Sequence, residues 1–147
     1  MRIDVKKDQE ENNIFVEIHC HDITDQVSRL ERHIKRFTSY ISAVENGEML
    51  NIRLDAILYI ESVDKKTFIY TEKRVLITDK RLYELEDMLD KRDFFRCSKN
   101  TIIHLNKVIR LKPEINRNII ATLENNENVV ISRRYAGELK ALLNIEG

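Results

Sequence analysis

The chain has 147 residues, with 25 Lys+Arg balanced by 25 Asp+Glu, 42% hydrophobic residues and 34% charged ones. That is enough for one folded domain, or one domain with an appendage, and it excludes a disordered polymer. Two cysteines cannot make a disulfide framework, three glycines cannot make a Gly-rich phosphate loop, and no apolar run approaches the ~18 residues of a membrane helix.

Residues 2–7 and 13–20 alternate apolar and polar (Ile3, Val5; Ile14, Val16, Ile18, Cys20) around a polar stretch at 8–13, which predicts a hairpin. The period then changes. Ile23, Val27, Leu30, Ile34, Phe37, Ile41 and Val44 follow one another at spacings of four and three, a heptad seam. Asp22 or Thr24 can cap this helix, and Asn46-Gly47 ends it. Three heptads fit a helix packed on a sheet and also fit a dimerising coil. From there the texture is short strands rich in Ile, Leu, Val, Tyr and Thr: 49–54, 56–61, 67–71, 74–78, 94–97, 101–105, 108–111, 119–124 and 129–132. Two helices interrupt them. One runs from Asp79 to about Lys91, with Leu82, Leu85 and Leu89 on one face and Thr78 or Asp79 as cap. The last carries Tyr135, Leu139, Leu142 and Leu143. Asn125-Asn126 suits a tight hairpin because Asn tolerates the left-handed conformation. The expected organisation is a hairpin-plus-helix unit at 1–46, for packing or dimerisation, followed by a mainly β domain at 47–147.

Catalysis finds no foothold. A Gly-x-Ser-x-Gly elbow is absent, and His19, His21, His33 and His104 never adopt the His-Glu-x-x-His spacing of a zinc site. His19 and His21 would share a strand face, but two ligands do not make a metal site, so solvated histidines are expected. The acids at 84, 86, 87 and 90 sit among Lys and Arg at helix-face spacing, the pattern of solvated surface. The reading is therefore of a protein that is not an enzyme, with no metal and no cofactor. Met1-Arg2-Ile3-Asp4-Val5-Lys6-Lys7 lacks the apolar stretch of a signal peptide, and with so few cysteines a cytoplasmic setting is expected.

Three motifs carry a resemblance. Ala56-Ile57-Leu58-Tyr59-Ile60-Glu61-Ser62 resembles the strand of LytTR DNA-binding domains that ends in Tyr-x-Glu-Ser. The run from Leu82 to Leu89, followed by Phe94-Phe95-Arg96-Cys97, is similar to that family's helix and its Phe-x-Arg strand. Val130-Ile131-Ser132-Arg133-Arg134-Tyr135, then Leu139-Lys140, is similar to its closing signature. Over about 100 residues in the right order, the match implies an α+β, mainly β fold: a LytTR-like antiparallel multi-sheet domain, here preceded by the hairpin and amphipathic helix. It also implies sequence-specific binding of double-stranded DNA as a bacterial transcriptional regulator, with a homodimer, at least on DNA. The residues before the domain are too few for the family's usual receiver, so a stand-alone member is expected. A small membrane-protein inhibitor is a partner that the resemblance alone implies. The competing reading is a homodimerising protein-interaction module that does not bind DNA.

Charge agrees weakly with DNA binding. Residues 1–50 carry 7 Lys+Arg and 10 Asp+Glu, and residues 51–147 carry 18 and 15, so placement must matter more than bulk charge. Asp64-Lys65-Lys66-Thr67 is a polar loop between apolar strands, either a solvated turn or a tip that enters a groove. In the second case Lys65 and Lys66 reach phosphates and Thr67 offers a hydroxyl or methyl to a base edge. By resemblance it is the first DNA-reading loop. The second is Arg96 with Ser98, Lys99 and Asn100, where the family tends to have Arg-x-His-Arg-Ser. Lys99 lacks the arginine fork, which favours phosphate over guanine. His104 stands where the family tends to have Asn. The third element is Ser132-Arg133-Arg134. With Ser132 as cap, Arg133 and Arg134 fall in a helix's first turn, against the macrodipole, and an anionic partner would relieve both. Arg134 matches the family's principal DNA-contacting Arg; its plain alternative is an ion pair with Glu138 four residues on. Lys112, Asn116 and Arg117 are secondary candidates for backbone contacts.

Overall fold

A computed structural model describes residues 1–10, 15–37 and 40–144, with the side chains of 36 and 37 outside the description. The chain divides into two compact units, Met1–Lys35 and Arg36–Gly147.

In the first unit the expected hairpin is not formed by the described residues. Residues 2–7 and 15–20 carry no strand, and Ile3, Val5 and Val16 are 77%, 92% and 52% exposed. Asn13 and Ile14 lie outside the described residues. An isolated two-stranded ribbon is marginal, and alternation alone does not supply the third strand or helix that would bury its apolar side. Helix α1 spans Asp25–Phe37, with Thr24 at its start: the Thr24 hydroxyl accepts from the Val27 amide at 3.4 Å. Val27, Leu30 and Ile34 are half-buried, and Glu31 pairs with Lys35 at 2.9 Å along the exposed side.

The heptad seam does not continue. Strand β1 begins at Tyr40 (Tyr40–Glu45) and pairs with β2 (Glu48–Arg53), so Ile41 and Val44 belong to a sheet. Ile41 and Ala43 are buried and their neighbours exposed, a period of two that a four-three seam leaves out. Asn46-Gly47 closes this hairpin instead of ending a helix. Their φ values of 52° and 80° are the left-handed pair a tight two-residue turn requires. Strand β1 thus belongs to the second compact unit, Arg36–Gly147.

The remaining elements follow the expected order. They are β3 (Ile57–Val63), β4 (Lys66–Thr71), β5 (Val75–Thr78), α2 (Leu82–Met88), β6 (Phe94–Ser98), β7 (Thr101–His104), β8 (Val108–Pro113), β9 (Ile119–Leu123), β10 (Asn128–Ile131) and α3 (Arg133–Leu142). Helix α2 is shorter than expected. Arg81 is its N-cap, in extended conformation, and the Arg81 amide donates to the Glu84 carboxylate at 3.1 Å, so the helix starts there and not at Thr78 or Asp79. Seven strands form one antiparallel sheet in the order β2-β1-β5-β4-β3-β7-β6, and β10-β9-β8 form a second.

Both faces of the large sheet are covered at β3, β6 and β7, whereas Val44 on β1 and Val75 and Ile77 on β5 leave part of the second face exposed. Leu82, Leu85 and Leu89 pack with Ile41, Ile57, Ile60, Ile69, Leu76, Phe94 and Ile102. On the other face Leu58, Phe95, Cys97 and Ile103 pack with Ile119, Ala121, Leu123, Ile131, Ala136 and Leu139 from the small sheet and α3. Strands buried on both sides lose the clean alternation of a half-exposed strand, which explains the continuous apolar run at 56–60. His104 is a core residue. It stacks on Phe94 at 4.3 Å, and its Nδ1 lies 2.6 Å from the Ile57 carbonyl oxygen.

Candidate nucleic-acid interface

Two hairpin turns and a helix start meet at one end of the large sheet. The β3–β4 turn is Asp64-Lys65, with Val63 facing Lys66 across it. Asp64 and Lys65 adopt φ values of 50° and 67°, the left-handed pair again, here without a glycine. The β6–β7 turn runs through Ser98, Lys99 and Asn100. Because β3 also pairs with β7, with Glu61 opposite Thr101, the two turns lie side by side. A bond from the Ser62 amide to the Asn100 carbonyl, at 2.8 Å, ties them together.

The start of α3 is joined to the same end. In β6 the register shifts between Arg96 and Ser98, leaving Cys97 as the extra residue of a bulge. The Cys97 carbonyl accepts from the Ser132 amide at 2.8 Å. Ser132 is at the N-cap as expected, but its side chain makes no capping bond. Asn118, fourteen residues earlier, supplies one instead: its side-chain oxygen accepts from the Arg133 amide at 2.8 Å. The sequence offered no signal for that, since nothing local links a loop asparagine to a distant helix.

The sequence-predicted residues separate into two groups. Lys65, Lys66, Lys99, Asn100, Arg133 and Arg134 are exposed, and Ser98 is half-buried. The Arg134 guanidinium carbon lies 5.7 Å from the Tyr135 ring centroid, a cation–π arrangement with its own neighbour. Thr67 and Arg96 differ from expectation. Thr67 is 3% exposed and stands opposite Thr78 within the sheet, so its hydroxyl and methyl do not reach a base edge. The Arg96 side chain folds back along its own hairpin. Its Nε donates to the Ser98 carbonyl at 2.8 Å, Nη2 donates to the Lys99 carbonyl, and Nη1 meets Glu86 at 2.7 Å.

Charge at this end is unbalanced toward the positive. The first turn of α3 holds no acid and carries Arg133 and Arg134 at the positive end of the helix dipole, which suits a phosphate oxygen. Cys97 is buried under the site, and burial pushes its thiol up to about 12, so it remains a neutral packing group. His19 and His21, in the first unit, are exposed beside Glu17 and Asp22 at 3.4 and 3.8 Å. A cleft of about 610 Å³ lined by Asn51, Thr71, Lys73 and Lys107 among others holds none of the predicted residues. No helix among the described residues is long and apolar enough to cross a membrane.

Comparison with known proteins agrees with this fold. Residues 47–144 match the model of the LytTr DNA-binding domain. The chain is similar to the sensory transduction protein LytT of Bacillus anthracis, 26% identical over 140 residues, covering 95% of this chain and 52% of that protein. It is also similar to the transcriptional regulatory protein YpdB of Escherichia coli K12, 26% identical over 113 residues, covering 76% of this chain and 46% of that protein. The chain thus spans about half the length of these relatives. A solved LytTr DNA-binding domain from Bacillus cereus superposes with a TM-score of 0.69 at 25% identity, covering 72% of this chain and 97% of that one.

Proposed function

The chain belongs to the LytTR DNA-binding domain family, and we propose that it regulates transcription by sequence-specific binding of duplex DNA through the 64–66 turn, the 98–100 turn and the start of α3. The observation that carries this reading is the pair of backbone bonds, Ser62 to Asn100 and Ser132 to Cys97, that gathers three cation-bearing segments at one sheet end. Segments held by main-chain bonds keep their spacing whatever the side chains do, as a surface matched to successive phosphates requires.

In this reading Lys65, Lys66 and Lys99 meet phosphates, Ser98 and Asn100 add polar contacts, and Arg133 and Arg134 lie at the α3 start. Arg134 is the main candidate for base readout, through its two-pronged guanidinium. The protein acts in the cytoplasm, without catalysis, as a homodimer on sites spaced by one helical turn. Helix α1, with Val27, Leu30 and Ile34 along one stripe, is the element proposed for packing or self-association. A small membrane protein is the inhibitor implied by the family likeness.

The test is a mobility-shift titration with a duplex selected by this protein from random sequence and a scrambled duplex of equal length, at two salt concentrations. Selective, salt-sensitive binding is expected, weakening steeply as salt rises. Equal affinity for both duplexes, or no binding at low salt, overturns the reading.

A further inference from the structure

Arg96 is the one member of the predicted DNA-binding set whose guanidinium is committed inside the protein. Three of its nitrogens are engaged: Nε with the Ser98 carbonyl, Nη2 with the Lys99 carbonyl and Nη1 with Glu86. Both side chains of the pair are largely shielded, Arg96 at 22% and Glu86 at 34% exposure. A guanidinium has five donors in a rigid plane, so two contacts to successive carbonyls fix two successive peptide planes. Those planes set the directions in which Lys99 and Asn100 leave the turn.

Glu86 belongs to α2, on the opposite side of the α2–β6 connection from the turn. The same helix reaches the other turn: at its N-cap, Arg81 Nη1 donates to the Lys65 carbonyl at 3.0 Å. One short helix, pinned to the core by Leu82, Leu85 and Leu89, thus touches the main chain or the supporting arginine of both turns. We propose that the Glu86–Arg96 pair is a positioning clamp for DNA recognition, in which an acid on α2 aims the guanidinium that shapes the 98–100 turn. The proposal rests on the reading that this turn meets DNA.

An acid near a DNA-binding surface makes the test decisive, because electrostatics and positioning predict opposite signs. Glu86→Gln removes a negative charge, which by itself strengthens attraction to any duplex. As a clamp residue, its loss weakens binding to the selected duplex by roughly tenfold, the scale of one charge-assisted hydrogen bond, while scrambled-duplex affinity holds or rises. The salt slope stays at the parental value, since no phosphate contact is removed. Arg96→Lys, which keeps the charge but not the fork, behaves the same way. In the DNA-free protein, the NMR amide signals of Ser98, Lys99 and Asn100 move in both variants while those of α3 stay in place.

Parental or tighter binding of the selected duplex by Glu86→Gln overturns the clamp, as do unmoved amide signals at 98–100. Lys99→Ala separates the two layers of the argument. A salt slope lowered by about one places the turn on DNA, so parental binding by Glu86→Gln would then remove the clamp alone. An unchanged slope in Lys99→Ala removes the turn from the interface and the clamp's role in binding with it.

Discussion

The Ser132 amide donates to the Cys97 carbonyl at 2.8 Å, joining the residue before α3 to the bulge of β6. Ser132 has φ −66°, the angle a proline ring imposes, but Ser132→Pro both deletes this donor and sets a ring carbon against the Cys97 carbonyl, so the contact must open. The substitution should cost more than the ~1 kcal/mol of the lost hydrogen bond in urea unfolding and lower affinity for the selected duplex. Ser132→Ala is the control. Because the hydroxyl makes no capping bond, its stability should stay within about 0.5 kcal/mol of the parent.

Lys65 holds a left-handed backbone, φ 67°, at a position where the sequence has no glycine. Strain kept at an exposed turn that carries a cation fits a residue retained for contact and not for folding. Lys65→Gly should therefore raise stability by about 0.5–1 kcal/mol while weakening DNA binding, because it relieves the backbone and deletes the charge together. A thermal melt paired with fluorescence-anisotropy titration reads both. Loss of stability would contradict the strain argument, and unchanged binding would contradict the contact.

Much of this fold is legible in the sequence. The strands from 49 onward are marked by β-branched residues and punctuated by charge, and the order of the three motifs identifies the family. The misreading at residues 40–46 has a physical source. Ile41 and Val44 satisfy a four-three spacing, and Asn-Gly stops a helix as readily as it turns a hairpin. The buried Ala43, on a period of two, was the discriminating residue. The site was legible as polar turns and a paired arginine, but the directions of its side chains were not. Thr67 turns inward because the register sets it opposite Thr78, and Arg96 turns back because Glu86 waits on another element. Asn118 was missed as the partner of the Arg133 amide, since only tertiary structure brings them together.

Reading and positioning should separate by mutation. Arg134→Ala should weaken binding of the selected duplex by about 1–3 kcal/mol and relax preference at one base position. Lys66→Ala should weaken selected and scrambled duplexes alike and lower the salt slope by about one. Repeating the random-sequence selection with each variant checks the contrast. A uniform loss in Arg134→Ala, with base preference retained, would reassign that arginine to a phosphate.

Alkaline pH should destabilise the protein. The Tyr59 hydroxyl donates to Glu127 at 2.8 Å and its ring stacks on Tyr70 at 4.3 Å. Burial first, then the Glu127 carboxylate, raises the Tyr59 phenol above its ordinary value of 10.0, and burial raises the Cys97 thiol from 9.0 to about 12. Both folded values exceed the unfolded ones, so the fold favours the protonated forms. Their contribution is complete below about pH 9 and is lost as pH rises, because the unfolded chain releases these protons first. Urea midpoints should fall from pH 8.5 to pH 10.5, and less steeply in Tyr59→Phe. An equal fall in that variant would remove Tyr59 from the cause.

The central claim is that one end of the large sheet meets DNA, and amide-shift mapping of the full chain against the selected duplex tests it most directly. The largest shifts are predicted at Lys65, Lys66, Lys99, Asn100, Arg133 and Arg134, with β2 and the 124–127 loop unmoved. Shifts concentrated on residues 48–53 or 124–127, with both turns and the start of α3 unchanged, would contradict it.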